Sequence, residues 1–75
     1  MNWREYIVVD PAILHGQASF KGTRVPVTVV LDNLAAGVSE RELRENYPTL
    51  PAEAVAAAIA YAAELAREQV LDLPA

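Results

Sequence analysis

The chain has 75 residues, 53% of them hydrophobic, with no cysteine and a formal net charge of −4. A chain this short is one domain that hides only about 60% of the surface its unfolded form exposes. It has no disulfide or thiolate metal site to reinforce it, and its apolar excess points to self-association as a homodimer. The acidic balance opposes a life on a phosphate backbone, no run approaches the roughly 20 apolar residues of a membrane span, and Met1 is not followed by a signal-peptide pattern, so the address read from the sequence is the cytoplasm of a microbe.

Trp3 is too large and apolar to sit in water without reason, and is read as covering a core edge or a partner. Tyr6-Ile7-Val8-Val9 is aromatic and β-branched, which predicts a short strand. Asp10-Pro11 reads as an N-cap followed by proline at the first helical position, predicting one helical turn from Asp10 to Ile13 that Leu14-His15-Gly16 ends. Gln17 to Phe20 and Arg24-Val25 are a second and a third short strand, joined by a turn at Lys21-Gly22. Strands this short need helices to pack on or the same strands of a second copy to pair with, and the second copy is favoured.

Everything after Pro26 reads helical. Val27, Val30, Leu31 and Leu34 recur at helical spacing with Thr28 and Asp32 opposite, predicting a first helix from about Val27 to Ala36 that Gly37 stops in the left-handed region. Ser39-Glu40-Arg41-Glu42 is a capping box, with Val38 and Leu43 as its hydrophobic staple. It opens a short second helix that ends near Asn46, before Pro48. Pro51 starts a long alanine-rich third helix predicted to reach Val70. A wheel at 100° per residue gives that helix an apolar face of Val55, Ala58, Ile59, Ala62, Leu65, Ala66 and Val70, with Tyr61 at its edge and Glu53, Glu64, Arg67 and Glu68 opposite. The division is a strand-and-turn arm over 1–26, a helical bundle over 27–70 and a tail over 71–75.

The fold predicted is mainly α: a three-helix helix-turn-helix bundle with short N-terminal β-strands. In such a bundle the last helix reads the major groove, yet the exposed positions at the start of this one are Ala52, Glu53, Ala56, Ala57 and Ala60. Alanines read no bases, and Glu53 repels phosphate. Among the cations, Arg41 and Arg44 lie one turn apart on the second helix, where Glu40, Glu42 and Glu45 surround them. The plain reading is a solvated face with weak intrahelical pairs; the functional one is contact with phosphates or a carboxylate-rich partner. Lys21 and Arg24 flank a glycine turn suited to anions, although Arg24 has Asp10 and Glu5 as alternative partners.

Chemistry beyond binding has little to stand on. His15 is the only histidine and reads as a loop residue, Ser39 reads as a cap, and no carboxylates recur at metal-ligand spacing. Lys21-Gly22-Thr23 resembles the end of a phosphate-binding loop but lacks its earlier glycine and preceding buried strand. The chain reads as a non-enzyme with no cofactor and no small-molecule substrate.

Taken together, Asp10-Pro11 with Ile13-Leu14, Phe20-Lys21-Gly22-Thr23-Arg24-Val25-Pro26-Val27, Leu34-Ala35-Ala36-Gly37-Val38-Ser39, and Tyr47-Pro48 with Ala60-Tyr61-Ala62 resemble the small prokaryotic family called domain of unknown function four-three-three. The resemblance spans about Asp10 to Leu65. It implies a homeodomain-like three-helix fold and an antitoxin-like protein of a type II toxin-antitoxin pair that binds a PIN-type ribonuclease, with operator DNA as a second partner. His15, Gln17 and Ala18 stand where the family often has glycine, lysine and proline, which removes a cation from the turn region. The tail from Leu71 to Ala75 is too short to wrap a nuclease, so neutralisation would use a folded surface: Trp3 and Tyr6, or the acidic Glu53, Glu64 and Glu68 answering a basic groove. The alternatives are a DNA-binding regulator that holds phosphates with Lys21, Arg24, Arg41 and Arg44, and a structural dimerisation module.

Overall fold

The computed structural model describes residues 1–68. The predicted tail over 71–75, and Val70 at the predicted end of the third helix, lie outside the described residues. A 3₁₀ turn at Trp3–Glu5 leads into β1 (Ile7–Val8), which pairs antiparallel with β2 (Ser19–Phe20); Ile7 faces Phe20 and Val8 faces Ser19. Both strands are shorter than the predicted spans Tyr6 to Val9 and Gln17 to Phe20. The Tyr6 backbone has already turned helical at the end of the 3₁₀ turn, so the ladder starts one residue later.

The predicted third strand is reduced to an isolated bridge between Ser19 and Pro26, supported by the Phe20 N–H donating to the Val25 carbonyl at 3.1 Å. Pro26 brings no N–H to a ladder, and the chain turns helical directly after it. Between the strands, Asp10 caps a tight turn and not a helix: its Oδ1 accepts from the Ala12 N–H at 2.9 Å, and its carbonyl accepts from the Ile13 N–H at 2.9 Å. The next three residues turn the other way: Leu14 (φ 49°), His15 (φ 56°) and Gly16 (φ 83°) are all left-handed. A left-handed run cannot extend a right-handed helix, so the chain turns away at Leu14-His15-Gly16, where the sequence placed the end of the turn.

The helices are α1 (Val27–Ala35), α2 (Glu40–Asn46) and α3 (Ala54–Glu68). At the end of α1 the Gly37 N–H donates to the Leu34 carbonyl and the Val38 N–H to the Asn33 carbonyl, each at 3.0 Å, with Gly37 at φ 85°. That is a Schellman stop, which satisfies carbonyls the helix would leave bare. Ser39 caps α2 by accepting from the Glu42 N–H at 3.1 Å. The Glu42 side chain stays exposed, so only the serine half of the capping box forms. α3 begins at Ala54 instead of Pro51, after a turn in which the Ala54 N–H donates to the Pro51 carbonyl at 3.1 Å.

The core gathers Ile7 and Phe20 from the strands, Val27 and Val30 from α1, Leu43 from α2, and Ala54, Ala57 and Ala58 from α3. Phe20 is its largest fully buried side chain, worth about 2–3 kcal/mol by area. α1 buries the face its spacing predicts. α3 does not: its buried stripe is Ala54, Ala57 and Ala58, continued by the half-buried Tyr61, while Ile59 is 53% and Leu65 43% exposed. The predicted face is therefore rotated toward Ala54 and Ala57, and Ala57, expected on the surface, is in the core. Close approach to α1 and the N-terminal 3₁₀ turn selects alanine, the side chain that leaves room for a neighbouring backbone. Among the described residues no helix is long and apolar enough to cross a membrane.

Candidate functional site

The turn that joins β2 to α1 is built by its own side chains. Thr23 Oγ1 donates to the Phe20 carbonyl at 2.8 Å and accepts from the Val25 N–H at 3.1 Å, while the Thr23 N–H donates to the same Phe20 carbonyl at 3.1 Å. The Lys21 N–H donates to the Tyr6 carbonyl at 2.9 Å and ties the turn to the strand before it. Gly22 sits at φ 75°, where a side chain would be strained. The outcome is a rigid turn on a buried Phe20, with the Lys21 and Arg24 side chains exposed.

Arg24, Thr23 and Gly22 form one wall of a cleft of about 450 Å³, whose other walls are Ala12 and Ile13 from the Asp10 turn and Thr49 from the α2–α3 connection. Neither Lys21 nor Arg24 is in an ion pair with any described residue: of the two alternative partners of Arg24, Glu5 makes no ion pair with it and Asp10 instead accepts from the Ala12 N–H. The cations of α2 are committed elsewhere. Arg41 Nε lies 3.9 Å from Glu45 Oε1, and Arg44 Nη2 lies 3.5 Å from Glu40 Oε2. Arg44 also donates to the Ala52 carbonyl, bracing the connection into α3.

The candidate partner-binding residues divide in the same way. Trp3 lies edge-on to Tyr61, with ring centroids 4.9 Å apart and planes at 84°, and the Arg4 guanidinium sits over the Trp3 ring at 4.4 Å. Arg4 Nη2 in turn meets Glu64 Oε2 at 3.1 Å. Trp3 and Glu64 thus serve a latch between the N-terminal turn and α3, half-buried and internally engaged. Tyr6 is half-buried against the core, and its hydroxyl is held above the ordinary tyrosine pKa, first by the negative charge of Glu53, then by burial, then by Glu5. Glu53 and Glu68 are exposed.

Reading the sequence missed Arg4 and Tyr61 as the two ends of this latch, Thr49 as a wall of the cleft, and Ile59 with Leu65 as surface. Thr49 carried no signal, because nothing local says that the α2–α3 connection folds back beside Arg24. Among the described residues no group of three or more His, Cys, Asp or Glu side chains is placed to hold a metal ion.

Three helices under a two-stranded arm, with a built turn beside a shallow cleft, define a small, mainly helical module. The chain belongs to the family described as "Protein of unknown function (DUF433)", whose model matches residues 7–62. It is 42% identical over 59 residues to the "Uncharacterized protein y4eO" of Sinorhizobium fredii, covering 79% of this chain and 27% of that one. It is also similar to the crystal structure of a DUF433 member protein from Anabaena variabilis, with 34% identity and a TM-score of 0.73 over 83% of this chain and 61% of the other. The chain thus spans little more than a quarter of the first relative and under two thirds of the second.

Proposed function

We propose that this chain is a non-catalytic protein-binding module, an antitoxin-like member of a type II pair that neutralises a PIN-type ribonuclease in the cytoplasm. The observation that carries the reading is on α3, where two large apolar side chains, Ile59 and Leu65, are 53% and 43% exposed and Glu68 is exposed near the end of the helix. Exposed large apolar side chains rimmed by charge suit a protein partner, and acidic side chains suit the basic groove in which a ribonuclease holds RNA. Trp3 and Glu64 act indirectly, by fixing α3 through Tyr61 and Arg4.

Self-association as a homodimer is part of the proposal and uses the other end of the molecule. β1 has β2 along one edge only, and short strands with an open edge invite the same strand of a second copy. Light scattering tests this: a dimer that proline at Val9, whose N–H lies on the open side of β1, turns into a monomer supports strand pairing, and a monomer at all concentrations refutes it.

The test of the main reading is affinity capture of the tagged chain from its own host, followed by ribonuclease assays with the purified pair. Recovery of one PIN-type ribonuclease at comparable stoichiometry, inhibited by the chain and released by Ile59→Asp, supports it. Recovery of the bait alone from cells shown to contain such a nuclease rejects it. The second reading, a regulator on operator DNA, draws support from Lys21 and Arg24, which have no ion-pair partner among the described residues. It predicts duplex binding that weakens steeply with salt, and a flat salt response removes it.

A further inference from the structure

The cleft beside Arg24 has a composition that the reading above does not use. Its volume of about 450 Å³ is in the range of small-ligand sites. Its walls are two apolar side chains, Ala12 and Ile13, two hydroxyl residues, Thr23 and Thr49, the bare backbone of Gly22, and one charged group, Arg24.

Which of these groups are free is decided by the hydrogen bonds already made. The Thr23 hydroxyl is spent on the Phe20 carbonyl and the Val25 N–H, so it holds the turn and is not offered to a ligand. The Arg24 guanidinium has no acidic partner, the Thr49 hydroxyl has no hydrogen-bond partner, and the Gly22 and Arg24 N–H groups donate to nothing, among the described residues. A side chain at Gly22 would meet nothing within 4 Å, so no described atom crowds the turn there. In a chain with ten acidic and six basic residues, an unpaired cation facing a cleft with no acid in its lining is a local reversal of charge.

We propose that this cleft is a binding site for a carboxylate carried on a compact aliphatic group, either a free small acid or the C-terminal carboxylate of a polypeptide. Arg24 pairs with the carboxylate through its planar fork, the geometry a guanidinium matches best. Thr49 and the backbone N–H groups of the turn donate to the remaining lone pairs, and Ala12 with Ile13 receives the aliphatic group. A single lining cation favours this monoanion over a phosphate dianion, whose second charge would find no partner. The site stands independently of the α3 surface.

The test is a nuclear magnetic resonance titration of the full chain with isovalerate, with a peptide ending in a free valine carboxylate, with the same peptide amidated, and with inorganic phosphate. Saturable shifts at Gly22, Thr23, Arg24 and Thr49 are expected with isovalerate or the free-ended peptide and not with the amidated one. Saturation by both assigns the site to small aliphatic acids in general; saturation by the peptide alone assigns it to chain termini. Arg24→Gln weakens the affinity about tenfold or more, the loss of one charge-assisted pair. Thr49→Val weakens it less, and Arg41→Gln leaves it unchanged. No saturable shift up to about 10 mM, where a dissociation constant of about 1 mM would already show near-saturation, overturns the proposal. So does phosphate binding as tightly as the carboxylates, or Arg24→Gln binding as the parent does while its spectrum remains folded.

Discussion

The β2–α1 turn and helix α2 each carry a pair of cations on an acidic molecule, and their fates differ. On α2, spacing puts Glu45 four residues after Arg41 and Glu40 four before Arg44, so a helix automatically brings each arginine to an acid. On the turn, Thr23 and Gly22 consume the local hydrogen-bonding and conformational demands, and Lys21 and Arg24 are left over. Counting cations would rank the two regions equally. What separates them is whether the local geometry has already used the charge.

The comparison breaks most completely if its platform goes. Phe20→Ala empties the largest fully buried site and costs about 3–5 kcal/mol, read as a lower midpoint in urea unfolding, and the turn's amide signals lose dispersion first. Thr23→Val keeps the shape but removes both hydroxyl bonds, costing about 1–2 kcal/mol in the same assay and loosening Arg24 without touching α2.

On α2 the two arginines themselves should differ. Arg44→Gln loses the bond to the Ala52 carbonyl as well as an exposed pair, about 1 kcal/mol, whereas Arg41→Gln stays within about 0.5 kcal/mol because its pair is solvent-exposed. Equal costs for the two would show that the brace into α3 carries no energy.

The smallest effect is electrostatic. Folding raises the Tyr6 pKa, so its contribution to stability is complete below the ordinary tyrosine value of about 10 and is lost as pH climbs through the folded value. Glu53→Gln should bring the phenolate transition of Tyr6 to lower pH in an absorbance titration. An unchanged transition would mean that burial and Glu5, not Glu53, hold the proton.

What was legible in advance was whatever depends on neighbours in the chain. Ser39 caps α2 because a serine hydroxyl reaches the N–H three residues on, and Gly37 stops α1 because it tolerates φ 85° at no steric cost. The α1 face was legible too, since Val27 and Val30 stand out against Thr28 and Asp32. The α3 face was not. A helix made largely of alanine has little apolar contrast around its circumference, so the wheel followed the two large side chains, Ile59 and Leu65. Packing instead chose the positions where small side chains admit the closest neighbours, Ala54, Ala57 and Ala58.

The candidate site divides along the same line. That a glycine turn with two cations follows Phe20 was legible from the residues, because turn chemistry is local; that Phe20 and the strand before the turn are buried was not. Long-range packing is what leaves Arg24 unpaired among the described residues, brings Thr49 and Ile13 to its side, and closes Trp3 and Arg4 on Tyr61 and Glu64 of α3. These are meetings of residues far apart in the chain, and no local rule encodes which distant side chain arrives first.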